Sequence, residues 1–215
     1  MRRCNILYAI GLTLVSLVAA SFTSCHDDSE PYPSLIADFV TAVGDAQGHV
    51  AAIVTDDGQR YTVENVIKGM EPNSTARAIC EYALAEAGRV LVYKISGIAI
   101  LPNVTKSDAV YTDPTGVAGV WYCGGYVNMH LLPKVYDGTH AWGFVVDSVS
   151  DNTAGGSTHF VTLCHQQRND AEAFTGHVYL SLQPDSIAPG LGAPDSLHLA
   201  INTFDGRMTW RFALR

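Results

Sequence analysis

The last twenty residues constrain the fold most. In SLHLAINTF, residues 196–204, Leu197, Leu199 and Ile201 alternate with Ser196, His198 and Asn202. In RMTWRFALR, residues 207–215, Met208, Trp210, Phe212 and Leu214 alternate with Arg207, Thr209, Arg211 and Arg215, and Asp205-Gly206 stands between the two arms. Period-two alternation places one apolar face on each arm, and an Asp-Gly pair is a strong two-residue turn signal, so the stretch predicts an antiparallel hairpin with one buried side. The preceding segments read the same way. GVAGVWYC, GGYVNMHLL, HAWGFVVDSV, HFVTLCH and HVYLSLQP recur at short intervals, with Asp137-Gly138 and SDNTAGGS as turns. Short strands at roughly ten-residue spacing, each with one apolar face, predict an antiparallel β-sandwich over residues 117–215.

Residues 35–101 read as a second β unit. LIADFVTAV, HVAAIVT, RYTVENV and RVLVYKISGIAIL have strand character, and Asp57-Gly58 marks a hairpin turn. Between them, Ala76, Ile79, Cys80, Ala83, Leu84 and Ala87 recur at helical spacing, with Asn73 or Ser74 as a start and Gly88 as a stop. The expectation is a small OB-like barrel carrying one core-facing helix over residues 75–87. Residues 102–116, PNVTKSDAVYTDPTG, lack periodicity and read as a linker. The fold class is therefore mainly β: an OB-like barrel followed by a sandwich.

The amino terminus has a different character. Arg2 and Arg3 precede ILYAIGLTLVSLVAA, residues 6–20, which holds no charge. A basic start and an apolar run shorter than the roughly 20 residues of a membrane span describe a secretory signal. Residues 1–24 are read as that signal, and the seam Thr23-Ser24-Cys25 resembles a bacterial lipobox, in which the cysteine receives lipid. Phe22 stands where that pattern prefers leucine. Cys25 is then the lipid attachment site and residues 25–34 a lipidated tether. Stable anchoring takes more than one acyl chain, which such a cysteine carries.

Charge narrows the partners. Loss of residues 1–24 removes Arg2 and Arg3 and leaves 11 basic against 21 acidic residues, a net charge of −10. Nucleic acid selects basic patches, and an anionic bilayer repels this balance, so neither nucleic-acid binding nor adsorption by charge is expected. The membrane is reached through the N-terminal lipid. Cys4 leaves with the signal, and Cys80, Cys123 and Cys164 remain, an odd number for an oxidising compartment. A Cys123–Cys164 disulfide is one reading; free thiols buried among apolar neighbours are the other.

The stretches SCHDD, DDGQRYTV, WYCGGYVNMHL and DSLHLAINTFDGRMTWRF, in this order, resemble the NigD-like lipoproteins of Bacteroidetes. The resemblance implies an OB-like N-terminal domain and a C-terminal β-sandwich, and it supplies no activity and no catalytic residues; only the lipidated cysteine transfers, onto Cys25. The acidic run HDDSE after that cysteine resembles a surface-export signal of Bacteroidetes lipoproteins, which implies an outer-membrane, surface-exposed location.

No reactive constellation emerges. His130, His140, His159, His165, His177 and His198 lie in the second unit without ligand spacing, and His159 and His165, six apart on one strand, stand about 20 Å apart. Ser150-Asp151-Asn152 matches one element of penicillin-recognising enzymes, but the partner SxxK and KTG motifs are missing. Asp56-Asp57-Gly58 lacks the downstream glutamate of a calcium loop. No cofactor, metal set or enzymatic activity is expected. Among the aromatic residues, Trp142 and Trp210 read as core, while Tyr122 and Tyr126 alternate away from apolar neighbours and are candidate ligand-facing side chains. Three functions remain open: an envelope-anchored module binding a protein or a glycan, a hydrolase acting on cell-surface or dietary polysaccharide, and a structural spacer.

Overall fold

Five strands of the first unit close on themselves. The computed structural model describes residues 33–105 and 110–215; the signal segment, Cys25 and residues 26–32 of the tether lie outside the described residues. Strands β1 (Ile36–Gly44), β2 (Val50–Thr55), β3 (Arg60–Val63), β4 (Thr75–Ala85) and β5 (Arg89–Gly97) form a closed barrel in the order β1-β2-β3-β5-β4. This is the OB-like barrel expected from the sequence. Val40, Ile53, Cys80, Tyr82 and Val90 fill its interior. At the β2–β3 turn only Gly58 adopts the left-handed conformation, with φ +88°, and the loop runs from Thr55 to Gln59.

The expected helix over residues 75–87 is not formed; the segment is β4. Its alanine-rich composition favours a helix locally, but Ala78, Cys80 and Tyr82 also satisfy a period of two and face the barrel core. Pairing with β1 on one side and β5 on the other provides hydrogen bonds along both edges, and this tertiary context overrides propensity. Gly88, the expected helix stop, ends the element as a turn residue at φ +71° beside Ala87 at +58°.

The remaining strands are β6 (Ala99–Ile100), β7 (Gly116–Cys123), β8 (Tyr126–Leu132), β9 (Lys134–Val135), β10 (Ala141–Asp151), β11 (Ser157–Gln166), β12 (Phe174–Thr175), β13 (Val178–Leu182), β14 (Ser196–Thr203) and β15 (Gly206–Ala213). They form a sheet β6-β13-β8-β7, a sheet β10-β11-β14-β15 and a small ribbon β12-β9. Leu101, Met129, Leu131 and Leu182 from the first sheet and its approach share one core with Phe144, Leu163, Leu197 and Leu199 from the second. Burying a side chain of this size contributes about 1.5–3 kcal/mol. The sandwich is antiparallel except for two parallel pairings, β11 with β14 and β6 with β13. After β11 the chain crosses to the other sheet as β13 and returns as β14, so β14 enters in the direction of β11.

The terminal hairpin forms, with one adjustment. Thr203 pairs with Gly206, so the turn falls on Phe204-Asp205 rather than Asp205-Gly206. A shift of two residues in the pairing leaves every side chain on its expected face. Leu197 stands opposite Phe212, Leu199 opposite Trp210 and Ile201 opposite Met208. Strand β15 is the outer strand of its sheet, with Arg207, Thr209 and Arg211 exposed. Residues 102–116, read as a linker, lie partly along the sandwich: Phe144 N donates to Pro102 O at 3.0 Å, Asp113 N to His165 O at 2.9 Å and Thr115 N to Asn202 O at 3.1 Å. Residues Leu35–Arg215 form a single compact unit.

Candidate functional site

One guanidinium joins the barrel to the sandwich. Arg77 lies on the outward face of β4, and its side chain is 1% exposed. Nη1 donates to Asp56 Oδ1 at 2.5 Å and Nη2 to Asp56 Oδ2 at 2.7 Å, a bidentate pair. Nη2 also donates to Asn128 Oδ1 at 2.9 Å and Nε to Ser181 Oγ at 3.4 Å. Asn128 Nδ2 donates back to Asp56 Oδ2 at 2.9 Å, and Ser181 Oγ donates to Asn128 Oδ1 at 2.8 Å. The guanidinium carbon sits 4.4 Å from the ring centre of Tyr126 and 5.5 Å from that of Phe39. Asp56 belongs to the β2–β3 turn, and Asn128 and Ser181 to β8 and β13, so every polar group has a partner and the cluster spans both units. The sequence conceals Arg77, because the helical spacing of its neighbours points to a helix where β4 forms.

The β7–β8 turn fits against this cluster. Gly124 and Gly125 take φ of +61° and +77° and form the two-residue turn between Cys123 and Tyr126. A Cβ on Gly124 would lie 2.5 Å from Asp56 Oδ1 and 2.9 Å from Asp56 Cα, so glycine sets the approach of the two turns.

Beside the cluster lies a cavity of ≈ 540 Å³. Strand β1 supplies Asp38 and Phe39, β2 supplies Thr55, the β2–β3 turn supplies Asp56 and Asp57, β3 and β4 supply Tyr61 and Tyr82, and β7 and β13 supply Trp121, Cys123 and Tyr179. The aromatic rings are organised around Phe39: Trp121 meets it edge-on at 5.0 Å and 87°, and Tyr179 at 5.9 Å and 70°. Trp121 remains 37% exposed, an unusual position for so large an apolar surface. Tyr82 Oη donates to Asp38 Oδ2 at 2.8 Å. Burial first, and then Asp38, push the Tyr82 phenol well above its usual range, so it stays a donor. Thr55 Oγ1 donates to Asp57 Oδ1 and Gln59 N reinforces it, holding the Asp57 carboxyl below its usual range. Asp57 is therefore an anion at neutral pH. Among the described residues, no salt bridge involves Asp38 or Asp57.

The aromatic candidates from the sequence fall elsewhere. Tyr126 packs beneath Arg77, outside the cavity lining. Tyr122 lines an adjoining groove of ≈ 680 Å³ with Gly124, Gly125, Arg211, Phe212 and Arg215, which shares Trp121 and Cys123 with the cavity, and packs on Phe212 at 6.4 Å. Trp142 and Trp210 pack against the sandwich core, as expected. Cys123 is exposed and Cys164 buried, both as free thiols, so the bridge between them is not formed; Cys123 also departs from the expected burial, because it ends β7 at the turn. Burial raises the Cys80 thiol to about 11, with Asp38 and Glu81 adding to the shift.

The histidines divide into separate hydrogen-bonded groups. His165 stacks on Trp142 at 3.9 Å and 6°, bonds His140 Nδ1 through Nε2 at 2.8 Å, and bonds Asp113 O through Nδ1 at 2.9 Å. His140 Nε2 lies 3.3 Å from Asp170 Oδ2, and Asp170 accepts the amides of Tyr136 and Asp137 at 2.9 and 3.2 Å. Those amides, chiefly that of Tyr136, bring the Asp170 carboxyl to about 2. His159 bonds the Ser157 hydroxyl at 2.9 Å, and its Nδ1 is buried without a partner. His130 bonds His177 at 2.9 Å and stacks on Tyr179. Among the described residues, no three His, Cys, Asp or Glu side chains are placed to hold a metal ion. Asn152 of the Ser-Asp-Asn match closes its own loop, accepting from Ala154 N and Gly156 N at 2.9 and 3.0 Å.

The family model described as the NigD-like C-terminal beta sandwich domain matches residues 97–213. Among solved structures, a NigD-like immunity protein from Bacteroides caccae is 23% identical, with a TM-score of 0.67 over 85% of this chain and 99% of its own. A protein of unknown function from Bacteroides vulgatus is 14% identical, with a TM-score of 0.64 over 84% of this chain and 92% of its own. A protein from Bacteroides fragilis named as a proposed lipoprotein is 13% identical, with a TM-score of 0.62 over 85% of this chain and 99% of its own. At such identities the likeness is one of fold. Among proteins of curated function, none matches.

Proposed function

Since this chain belongs to the family defined by the NigD-like C-terminal β-sandwich domain, we propose that it is a lipid-anchored envelope protein, held at the outer membrane through Cys25 and exposed at the cell surface, that binds a protein or glycan partner in the cavity walled by Asp38, Asp57, Trp121 and Tyr179. The observation that carries the binding reading is the half-open Trp121 ring, presented beside carboxylates in a cavity of ≈ 540 Å³. A concave site with aromatic walls and a few oriented polar groups is the usual form of a ligand site. The anchor rests on Arg2, Arg3, the uncharged run 6–20 and Cys25, and the fold is shared with a protein from Bacteroides fragilis named as a proposed lipoprotein. Among the described residues no helix is long and apolar enough to cross a membrane.

The reading is of binding rather than catalysis. No histidine lines the cavity, Asp56 is committed to Arg77, Asp57 is held as the anion, and Asp38 accepts from the Tyr82 hydroxyl, so no carboxylate of the lining is arranged with an acid–base partner. The test is a glycan-array and envelope pull-down screen with the mature chain and its Trp121→Ala variant. Capture that depends on Trp121 is expected; capture that the variant retains in full would move the site elsewhere. For the anchor, Cys25→Ser should release the protein from the membrane fraction, and retention of that variant would refute lipid attachment at Cys25.

A further inference from the structure

The same cavity carries a statement about the chemistry of its occupant. Its polar lining combines three carboxylates with neutral hydroxyl and indole groups and holds no cationic side chain. Asp38, Asp56 and Asp57 contribute carboxylates, while no Asn, Gln, Lys, Arg or His lines it. Two of the hydroxyls present are already used: Tyr82 Oη donates to Asp38 Oδ2, and Thr55 Oγ1 donates to Asp57 Oδ1 while accepting from Gln59 N. A neutral sugar presents hydroxyls that donate and accept in equal measure, and its acceptor oxygens would find only the Tyr61 and Tyr179 hydroxyls and the Trp121 indole N–H as uncommitted donors. A lysine ammonium or an arginine guanidinium donates only and accepts nothing, which is the complement of this lining.

Charge and aromatic content point the same way. Arg77 neutralises Asp56 from behind the wall, with its guanidinium outside the lining, whereas Asp38 and Asp57 have no salt-bridge partner among the described residues. Trp121, Tyr61 and Tyr179 stand beside these carboxylates. Ring faces next to anions attract a desolvated organic cation through the ring quadrupole and the charge together. The mature chain, at net −10, also draws a basic partner toward it from a distance.

Resting on the binding role proposed above, we infer that the cavity receives a lysine or arginine side chain of a basic peptide segment, seated between Asp38, Asp57 and the Trp121 ring.

The test uses the mature chain, residues 25–215, and end-capped tripeptides. Tri-lysine and tri-arginine are titrated against their uncharged counterparts, tri-(acetyl-lysine) and tri-citrulline, by calorimetry and by tryptophan fluorescence. The cationic peptides should bind and the uncharged ones should bind at least roughly tenfold more weakly, with affinity falling as salt rises. Asp38→Asn, Asp57→Asn and Trp121→Ala should each weaken binding by roughly threefold to thirtyfold, the span of a cation–π contact or one exposed charge pair. Asp205→Asn, which removes the same charge at an exposed turn outside the cavity, should leave affinity unchanged. Thermal melts of each variant separate loss of binding from loss of fold.

Equal binding of charged and uncharged peptides would overturn the inference while leaving the cavity as a binding site. Equal weakening by Asp205→Asn would reduce the effect to bulk charge and overturn it. Chitotriose or its deacetylated form binding in a Trp121-dependent way, without peptide binding, would also overturn it in favour of a sugar. Peptide binding indifferent to Trp121, Asp38 and Asp57 would remove both this inference and the cavity assignment beneath it.

Discussion

Arg77 offers the sharpest test of how the two units are held together. Arg77→Met removes the guanidinium and keeps an unbranched apolar chain. It leaves the Asp56 carboxylate, whose side chain is 13% exposed, with only Asn128 Nδ2 among its present side-chain donors, and it strips Asn128 Oδ1 of one donor. Removing one partner of a buried pair costs about 3–5 kcal/mol, because a charge is left without compensation. For a chain of this size that corresponds to a fall in melting temperature of roughly 6–20 °C. Asp56→Asn alone strands the guanidinium and should cost a similar amount. The double variant Arg77→Met/Asp56→Asn contains no orphaned charge, so it should recover about 2 kcal/mol relative to the sum of the single changes. Urea unfolding of the four proteins at pH 7 measures the cycle. A single-variant cost below about 1 kcal/mol, or strictly additive costs, would show that the cluster is incidental to stability and refute the reasoning.

Gly124→Ala should destabilise by about 2–4 kcal/mol, combining left-handed strain with a clash against Asp56, whereas Gly125→Ala meets nothing within 4 Å and should cost only about 1–2 kcal/mol; equal losses would show that the approach of the two turns is not tight. Burial lowers the His165 pKa below its unfolded value, so its contribution to stability is full above about pH 6.5 and is lost as pH falls below it. Chemical denaturation between pH 7 and 5 should show this decline, and His165→Gln should lessen it, with His130 and His198, whose pKa values are also lowered, carrying the remainder; a parent profile without slope would contradict it. Asp170 adds a second loss only as pH falls from its unfolded value toward about 2. Cys123 should react with a thiol reagent in the folded protein, while Cys80 and Cys164, buried and with raised thiol pKa values, should react only on unfolding; rapid labelling of all three would refute that placement.

The sandwich was legible in the sequence because its signals are local. Leu197, Leu199 and Ile201 need only a period of two and a turn to be placed, and even a displaced turn leaves their faces unchanged. The barrel strands were legible for the same reason, except β4. There, Ala76, Ile79, Cys80 and Ala83 fit a helix as well as Ala78, Cys80 and Tyr82 fit a strand, and only pairing with β1 and β5, distant in sequence, decides between them. That error hid the rest. Placed on a helix, Arg77 is one more solvent-facing cation; placed on β4, it meets Asp56, Asn128 and Ser181, which lie 21, 51 and 104 residues away. Tyr126 looked free because its cover comes from that same arginine. The cavity draws on six strands and a turn, and no spacing in the sequence joins Asp38 to Trp121.

The arginines along β15 have a bearing on how copies of the molecule behave when crowded. An outermost strand presents unpaired amides and carbonyls that can template the addition of another chain. Two molecules meeting through β15 in antiparallel fashion, centred on Arg211, would set guanidinium against guanidinium, whereas Arg207 is drawn back over its own sheet to Thr162 at 2.7 Å and Asp147 at 3.8 Å. Under the surface anchoring proposed above, copies would meet one another far more often than in dilute solution. Mutual repulsion at this rim therefore guards against fibrous self-association, where a run of threonine or valine would invite it.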